Sequence, residues 1–255
     1  MLLVVDVGNT NISCGIFDKD KLVAKFRFIT KQNRTSDELA LQIHSILEVK
    51  HLDEKNVDGV VLSSVVPNLN NDLINAFKQL FNVEPLIVAS GIKTGLKINT
   101  DDPRSIGSDL IVDAVAAYQR YKDACLVIDF GTASKFLYIN ESGEFQYGII
   151  SPGLEIYANS LWQMTAQLPA VQLTKPESIL AKNTVHSMQA GIMYGYIGLA
   201  EGIIKQIRKE IGHDFKSLAT GGLGRYIYKE TDLIDEYDPD LAYYGMKYIY
   251  EKNKK

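Results

Sequence analysis

Two aspartates in this chain each close an apolar run and open a glycine turn. Asp6 ends Leu2-Leu3-Val4-Val5 and is followed by Gly8, Asn9 and Thr10. Asp129 ends Ala124-Cys125-Leu126-Val127-Ile128 and is followed by Gly131, Thr132, Ala133 and Ser134. A glycine turn after a buried strand gathers backbone N–H groups into one concavity, with no Cβ to hold an anion away. Asn9, Thr10, Thr132 and Ser134 add side-chain donors. That combination suits a phosphate. A carboxylate beside it repels a bare phosphate, so Asp6 and Asp129 make sense with a cation between acid and phosphate. Mg²⁺ fits, because it keeps several waters and takes few carboxylates. The alternative is that each acid only closes an Asx-turn. The pattern occurs twice, each time between apolar runs, and that favours the phosphate reading. A third glycine site, Thr220-Gly221-Gly222, lets a flat ligand such as a purine approach the backbone, or else is an ordinary strand-to-helix turn. The chain has no P-loop G-x-x-x-x-G-K-[ST], and no G-x-G-x-x-G follows a strand.

Moving a phosphoryl group requires positioning, charge neutralisation and a base near the acceptor hydroxyl. Asp109 is the candidate base. It falls one turn into a helix expected to begin near Ser105, where the helix N-terminus favours an ionised carboxylate and offers N–H groups to an anionic substrate. Asp109 equally suits a plain first-turn acid that stabilises its own helix.

These residues need a scaffold. Residues 2–6, 12–17 and 22–29 read as three strands, the last two joined by the polar hairpin 18–21. Thr35 or Ser36 caps a helix with acids in its first turn, and Leu39, Ile43, Ile46 and Leu47 share one face. Residues 57–62 read as a buried strand, 69–81 as an amphipathic helix and 84–88 as a short strand. The order is βββαβαβ. Residues 124–129, 135–139 and 145–150 repeat the strand, turn, strand opening, with DFGTA at 129–133 where the first copy has DVGNT at 6–10. Two similar domains follow, 1–115 and 116–255, with a helix over 106–121 connecting them. A long helix over 188–207 carries Gly191, Gly195, Gly198 and Gly202 at spacings of three or four, suited to close packing within the chain or against a second copy.

The bulk properties exclude several classes. The 255 residues are 46% hydrophobic, enough for two cores, and the net charge is −4. That balance gives no electrostatic footprint for nucleic acid or an anionic membrane surface. No run approaches the ~18 apolar residues of a membrane span, and residues 1–5 do not read as a signal peptide. A cytoplasmic globular protein is expected. Cys14 and Cys125 lie in apolar runs without C-x-x-C spacing and read as buried, reduced thiols. The four histidines are scattered and read as surface or turn residues. Trp162 and the run 161–168 read as core or interface, and the acidic stretch 232–240 as a solvated surface.

Taken together and in order, the motifs resemble those of the acetate-kinase/sugar-kinase/actin superfamily, and within it the type III pantothenate kinases. The matching segments are Asp6–Thr10, Asp102-Pro103-Arg104-Ser105-Ile106-Gly107-Ser108-Asp109, Asp129–Ala133, Ser151-Pro152-Gly153-Leu154, Lys182-Asn183-Thr184, Gly191–Gly198 and Thr220–Gly222. The resemblance implies two ribonuclease-H-like α/β domains with the active site in the cleft between them. It implies ATP-dependent phosphorylation of pantothenate, the first step of coenzyme A biosynthesis. Asp109 would be the catalytic acid–base, with Gly107, Ser108 and Thr184 at the substrate. Asp6, Gly8, Asn9, Thr10, Gly131, Thr132, Gly221 and Gly222 would bind nucleotide and phosphate. Asp6 would hold Mg²⁺ through water, and Asp129 a monovalent cation, K⁺ or NH₄⁺. Thr184 would reach a neighbouring subunit's pocket in a homodimer. Two places depart from the family pattern. Leu110 stands where the family usually has arginine after the G-x-D aspartate, and Tyr147-Gly148 stands where a glycine pair is more usual. Arginine at 110 could bind a substrate carboxylate, which leucine cannot. Either Arg104 or Lys135 compensates, or the substrate differs, or activity is weak. A nucleotide-binding protein without turnover, or a kinase for another hydroxyl-bearing substrate, are the competing readings.

Overall fold

The computed structural model describes residues 1–30 and 33–254. The chain forms two compact units. One comprises the residues up to Arg120 together with the segment from Asp240 onward, and the other spans Tyr121–Pro239.

The first unit is a mixed sheet with helices on both faces. Its strands are β1 (Leu2–Val7), β2 (Asn11–Asp18), β3 (Lys21–Ile29), β4 (Gly59–Ser64) and β5 (Leu86–Ile87), in the order β3-β2-β1-β4-β5. β1 is antiparallel to β2 and parallel to β4. As the central strand, β1 is buried on both faces, and its alternate side chains serve two cores. Leu3, Val5 and Val7 pack with α1 (Ser36–Val49) and α2 (Asn70–Phe81). Leu2 and Val4 pack on the other face with Ile111, Val112 and Val115 of α3 (Ser108–Tyr121) and Met246 and Ile249 of the C-terminal helix. A two-residue strand, β6 (Lys97–Ile98), precedes α3. Of the two candidate caps it is Thr35 that closes α1, in a reciprocal capping box with Glu38.

The second unit repeats the arrangement. Strands β7 (Cys125–Phe130), β8 (Ala133–Ile139), β9 (Glu144–Pro152), β10 (Lys216–Thr220) and β11 (Glu236–Tyr237) run in the order β11-β10-β7-β8-β9. β7 is antiparallel to β8 and parallel to β10, as β1 is to β2 and β4. The helices are α4 (Leu154–Gln163), α5 (Thr184–Ile211), α6 (Gly224–Tyr228) and, back in the first unit, α7 (Leu241–Asn253). Leu126, Ile128 and Phe130 of β7 pack with Met188, Ile192, Tyr196 and Ala200 of α5. Leu161, Trp162 and Leu168 pack at the edge of that core.

Several elements differ from the sequence reading. β4 starts two residues later than expected and continues through Ser63 and Ser64, because those serines stay in register with Asp6 and Val7. The connecting helix begins at Ser108, not near Ser105: the Asp102 carboxylate accepts from Arg104 N–H, and the Ser105 hydroxyl donates to the Asp102 carbonyl, which holds 102–105 as a turn. The long helix is 28 residues, opened by the Asn183 cap. The division into units differs from 1–115 and 116–255 at both ends, since α3 stays with the first unit and α7 returns to it. That return leaves its mark in glycine: a Cβ at Gly245 would collide with the Val112 carbonyl. The acidic stretch 232–240 is not merely solvated. The Asp235 carboxylate accepts from the Ser217 N–H and hydroxyl, and these bonds, with Lys216, bring its pKa below the usual range although burial pushes the other way. Asp240 pairs with Lys25. Both thiols are free and buried. Burial pushes both up, Cys125 to about 12, so neither is reactive.

The α7–α3 contact has a measurable consequence. Gly245→Ala should destabilise the protein by about 1–3 kcal/mol, the cost of overpacking a closed contact, read as a lower urea midpoint. An unchanged midpoint would mean that α7 is not packed this closely.

Candidate active site

Each glycine turn forms at the end of a central strand. In the first unit Asp6 is the fifth residue of a strand whose first four are buried, and register places it opposite Ser13 of β2 on one side and Ser63 of β4 on the other. Its alternation with Val4 puts it on the sheet face that α3 and α7 cover. The turn after it is tied at both edges. Gly8 N–H donates to the Asn11 carbonyl at 3.0 Å, the Thr30 hydroxyl donates to the Gly8 carbonyl at 2.7 Å, and Thr30 N–H donates to the Thr10 carbonyl at 2.9 Å. Asn9 and Thr10 are exposed at its tip.

The N-terminus of α3 is fastened to the same sheet end. The buried Ser108 hydroxyl accepts from Ser64 N–H at 3.0 Å and from the Ser63 hydroxyl at 3.1 Å, and lies 3.1 Å from the Ser64 carbonyl. Ser63 is the register partner of Asp6, so one short chain of contacts links Asp6, Ser63, Ser108 and Asp109. The clamp thus fixes the start of α3, and with it Asp109, to the end of the strand that pairs with Asp6. Asp109 is the second residue of its helix, half-buried, and its Oδ1 accepts from Leu110 N–H at 2.9 Å. That hydrogen bond is the helix-stabilising role foreseen for it. Leu110 is half-buried. Arg104 is exposed on the preceding loop.

In the second unit Asp129 lies opposite Lys135 of β8 and Thr220 of β10. Lys135 Nζ is 2.8 Å from Asp129 Oδ2, with the two side chains only 18% and 14% exposed. Glycines crowd the rest of the carboxylate. A Cβ on Gly221, whose φ is +83°, would lie 2.6 Å from Asp129 Oδ1 and from the Phe130 carbonyl oxygen. Gly153 packs its bare Cα on the carbonyls of Gly131 and Thr132, and its N–H donates to the latter at 3.1 Å. Behind the turn the buried Ser134 hydroxyl bonds the Tyr196 phenol of α5, and burial raises the Tyr196 pKa, which keeps it neutral. Gly131 and Gly221 therefore meet at Asp129. Gly222 faces open space, so packing within the chain does not demand glycine there. Thr184 is exposed at the first turn of α5, beside the Asn183 cap. Sequence reasoning missed Ser63, Ser64 and Tyr196. Only the register of β4 against β1 could have revealed the serines.

The donors fit a phosphate-borne divalent cation. Among the described residues no three His, Cys, Asp or Glu side chains group to hold a metal by themselves. A single carboxylate, Asp6, at a turn of backbone N–H groups suits a Mg²⁺ carried mainly by phosphates and water. At Asp129 the fit to a free monovalent cation is poor, because the Lys135 ammonium stands on the carboxylate.

The family model described as type III pantothenate kinase matches residues 2–206. The chain belongs to this family. It is 47% identical to the type III pantothenate kinase of Agathobacter rectalis, covering 100% of this chain and 98% of that protein. It is 43% identical to the one from Geotalea daltonii, covering 100% and 99%. Among solved structures it resembles MreB 5 of Spiroplasma citri bound to AMPPNP, with a TM-score of 0.57 and 12% identity over 98% of this chain and 96% of that one. At that identity the likeness is one of fold.

The serine clamp makes a prediction. Ser108→Ala leaves the buried Ser63 hydroxyl and Ser64 N–H unpaired and should lower stability by about 1–3 kcal/mol. It should also reduce turnover, because Asp109 loses its anchor. Calorimetry and a steady-state assay on one preparation check both, and full activity would show that Asp109 is positioned without the clamp.

Proposed function

We propose that this protein transfers the γ-phosphoryl group of ATP to the hydroxyl of pantothenate, giving 4′-phosphopantothenate and ADP, the first step of coenzyme A biosynthesis. The observation that carries the reading is the full-length match to type III pantothenate kinases together with the Ser63–Ser108 clamp that sets Asp109 beside the Asp6 strand end.

In this reading Asp109 is the catalytic base. It takes the proton of the acceptor hydroxyl as that oxygen bonds to the γ-phosphorus, while the bond from that phosphorus to the bridging oxygen breaks and ADP leaves with the electron pair. Backbone N–H groups of the turns at Gly8, Asn9 and Thr10 and at Gly131 and Thr132 hold phosphate oxygens. Asp6 holds Mg²⁺ through water, and the ion when bound supplies neutralising charge to the phosphates. Gly221 and Gly222 offer backbone to the adenosine. Gly107 and Ser108 border the acceptor, and the first-turn N–H groups of α3 receive its carboxylate. Those N–H groups stand in for the arginine that Leu110 replaces. Lys135 is engaged with Asp129 and is not assigned to that carboxylate.

A homodimer belongs to the same reading, with Thr184 reaching a partner's pocket. Two observations support it. A Cβ on Gly191, Gly198 or Gly202 would meet nothing, so these glycines leave bare backbone on α5 that intrachain packing does not use. Ile179, Leu180 and Val185 are exposed near its start. Gly195 alone of the four packs inside the chain, against Tyr157. We assign the reaction to the cytoplasm. Two free thiols suit a reducing compartment, and no helix among the described residues is long and apolar enough to cross a membrane.

Replacing the base is the decisive substitution. Asp109→Asn should cut pantothenate-dependent ADP release by about 10²–10⁴-fold while ATP still binds by calorimetry. Retained turnover would remove Asp109 from the chemistry, and a wild-type protein that binds ATP without pantothenate-dependent turnover would remove pantothenate as acceptor.

A further inference from the structure

We propose that the Lys135 ammonium is a built-in monovalent cation at Asp129, so that the reaction needs no K⁺ or NH₄⁺. This rests on the kinase reading above and concerns the same site.

The argument comes from the two copies of the strand-turn-strand unit. Both place an aspartate at the end of the central strand, and both place one β-residue directly opposite it on the antiparallel neighbour. In the first copy that residue is Ser13, opposite Asp6. In the second it is Lys135, opposite Asp129. Directly opposed residues project from the same face with their Cβ atoms about 5 Å apart. A lysine there reaches its partner's carboxylate, whereas the serine hydroxyl bonds Tyr243 instead. The outcome is an ammonium 2.8 Å from Asp129 Oδ2, with both groups largely withdrawn from water.

The surroundings are those a monovalent cation would use. Asp129 Oδ1 faces Gly221, and Gly131 lies 3.4 Å from both carboxylate oxygens measured to a Cβ placed there. The Lys135 ammonium carries one positive charge and three N–H donors. Asp129 accepts from one of them. K⁺ and NH₄⁺ are ions of the same charge and similar size that bind oxygen ligands, and a tethered R–NH₃⁺ supplies the same charge at fixed stoichiometry without an entropic cost of capture. A free cation entering beside Asp129 would have to displace the ammonium and would meet its like charge. Lys135 is thus a positioning and charge-supplying residue for the phosphate turn, and it explains why the second copy departs from a neutral residue at this register.

The test is turnover at matched ionic strength in choline, Na⁺, K⁺ or NH₄⁺ chloride, for the wild type and Lys135→Met, with denaturation midpoints in the same salts in the presence of AMPPNP and Mg²⁺. Wild-type turnover should agree across the salts within about twofold, and Lys135→Met should lose about tenfold or more in choline and recover in K⁺ or NH₄⁺. The midpoint of the variant, and not of the wild type, should rise in K⁺ relative to Na⁺. Wild-type turnover that depends on K⁺ would overturn the proposal. So would a folded variant that is fully active in choline, or one that no cation restores. Should Lys135→Met not fold, the wild-type salt series decides alone. Should pantothenate fail as acceptor in every salt, the kinase reading falls, and the midpoints decide whether Lys135 excludes K⁺.

Discussion

The site depends on a change of polarity at one point in a strand. A central strand buried on both faces tolerates a carboxylate only at its end, where the sheet stops and a turn supplies donors. β1 meets that constraint at Asp6 and β7 at Asp129, each directly before a glycine turn. Register then settles the rest. Slipping β1 by one residue against β2 or β4 would exchange its two apolar faces and bury Asp6 among the α1 and α2 side chains, so the cores of the first unit and the direction of the carboxylate are secured by the same contacts.

The two copies then diverge in what stands beside the acid. In the first, Ser63 and Ser64 at the end of β4 pin Ser108, and the helix they pin delivers Asp109. In the second, β10 ends in Thr220-Gly221, and the left-handed glycine clears room for the Asp129 carboxylate that Lys135 neutralises. One architecture thus gives an acid whose paired strand end anchors the helix carrying Asp109, and an acid with an ammonium on it. In the function proposed above, the first supplies a base for the attacking hydroxyl and the second positive charge where the phosphates gather.

Much of this was legible in the sequence because it is local. The apolar run from Leu2 to Val5, the D-x-G turns and a helix cap at Thr35 or Ser36 each depend on a handful of neighbouring residues, and the duplicated D-x-G setting announced two similar sheets. What was not legible depends on pairing across long separations. The Ser63–Ser108 clamp needs the β1–β4 register, and the return of α7 to the first unit needs knowledge of which bare surface is left for it. The helix start at Ser108 turned on a competing Asx-turn at Asp102. Lys135 was read as a substitute for the arginine that Leu110 displaces, since nothing in its spacing from Asp129 reveals that the two face one another across a hairpin.

The central claim is that these turns and Asp109 move a phosphoryl group to an alcohol. The most direct measurement is ³¹P NMR of the reaction mixture containing ATP, Mg²⁺ and pantothenate. The account predicts that the γ-phosphate resonance is replaced, one for one with ADP, by a single phosphomonoester on the pantothenate hydroxyl. Inorganic phosphate as the only new resonance, or an unchanged ATP spectrum with nucleotide bound, would contradict it.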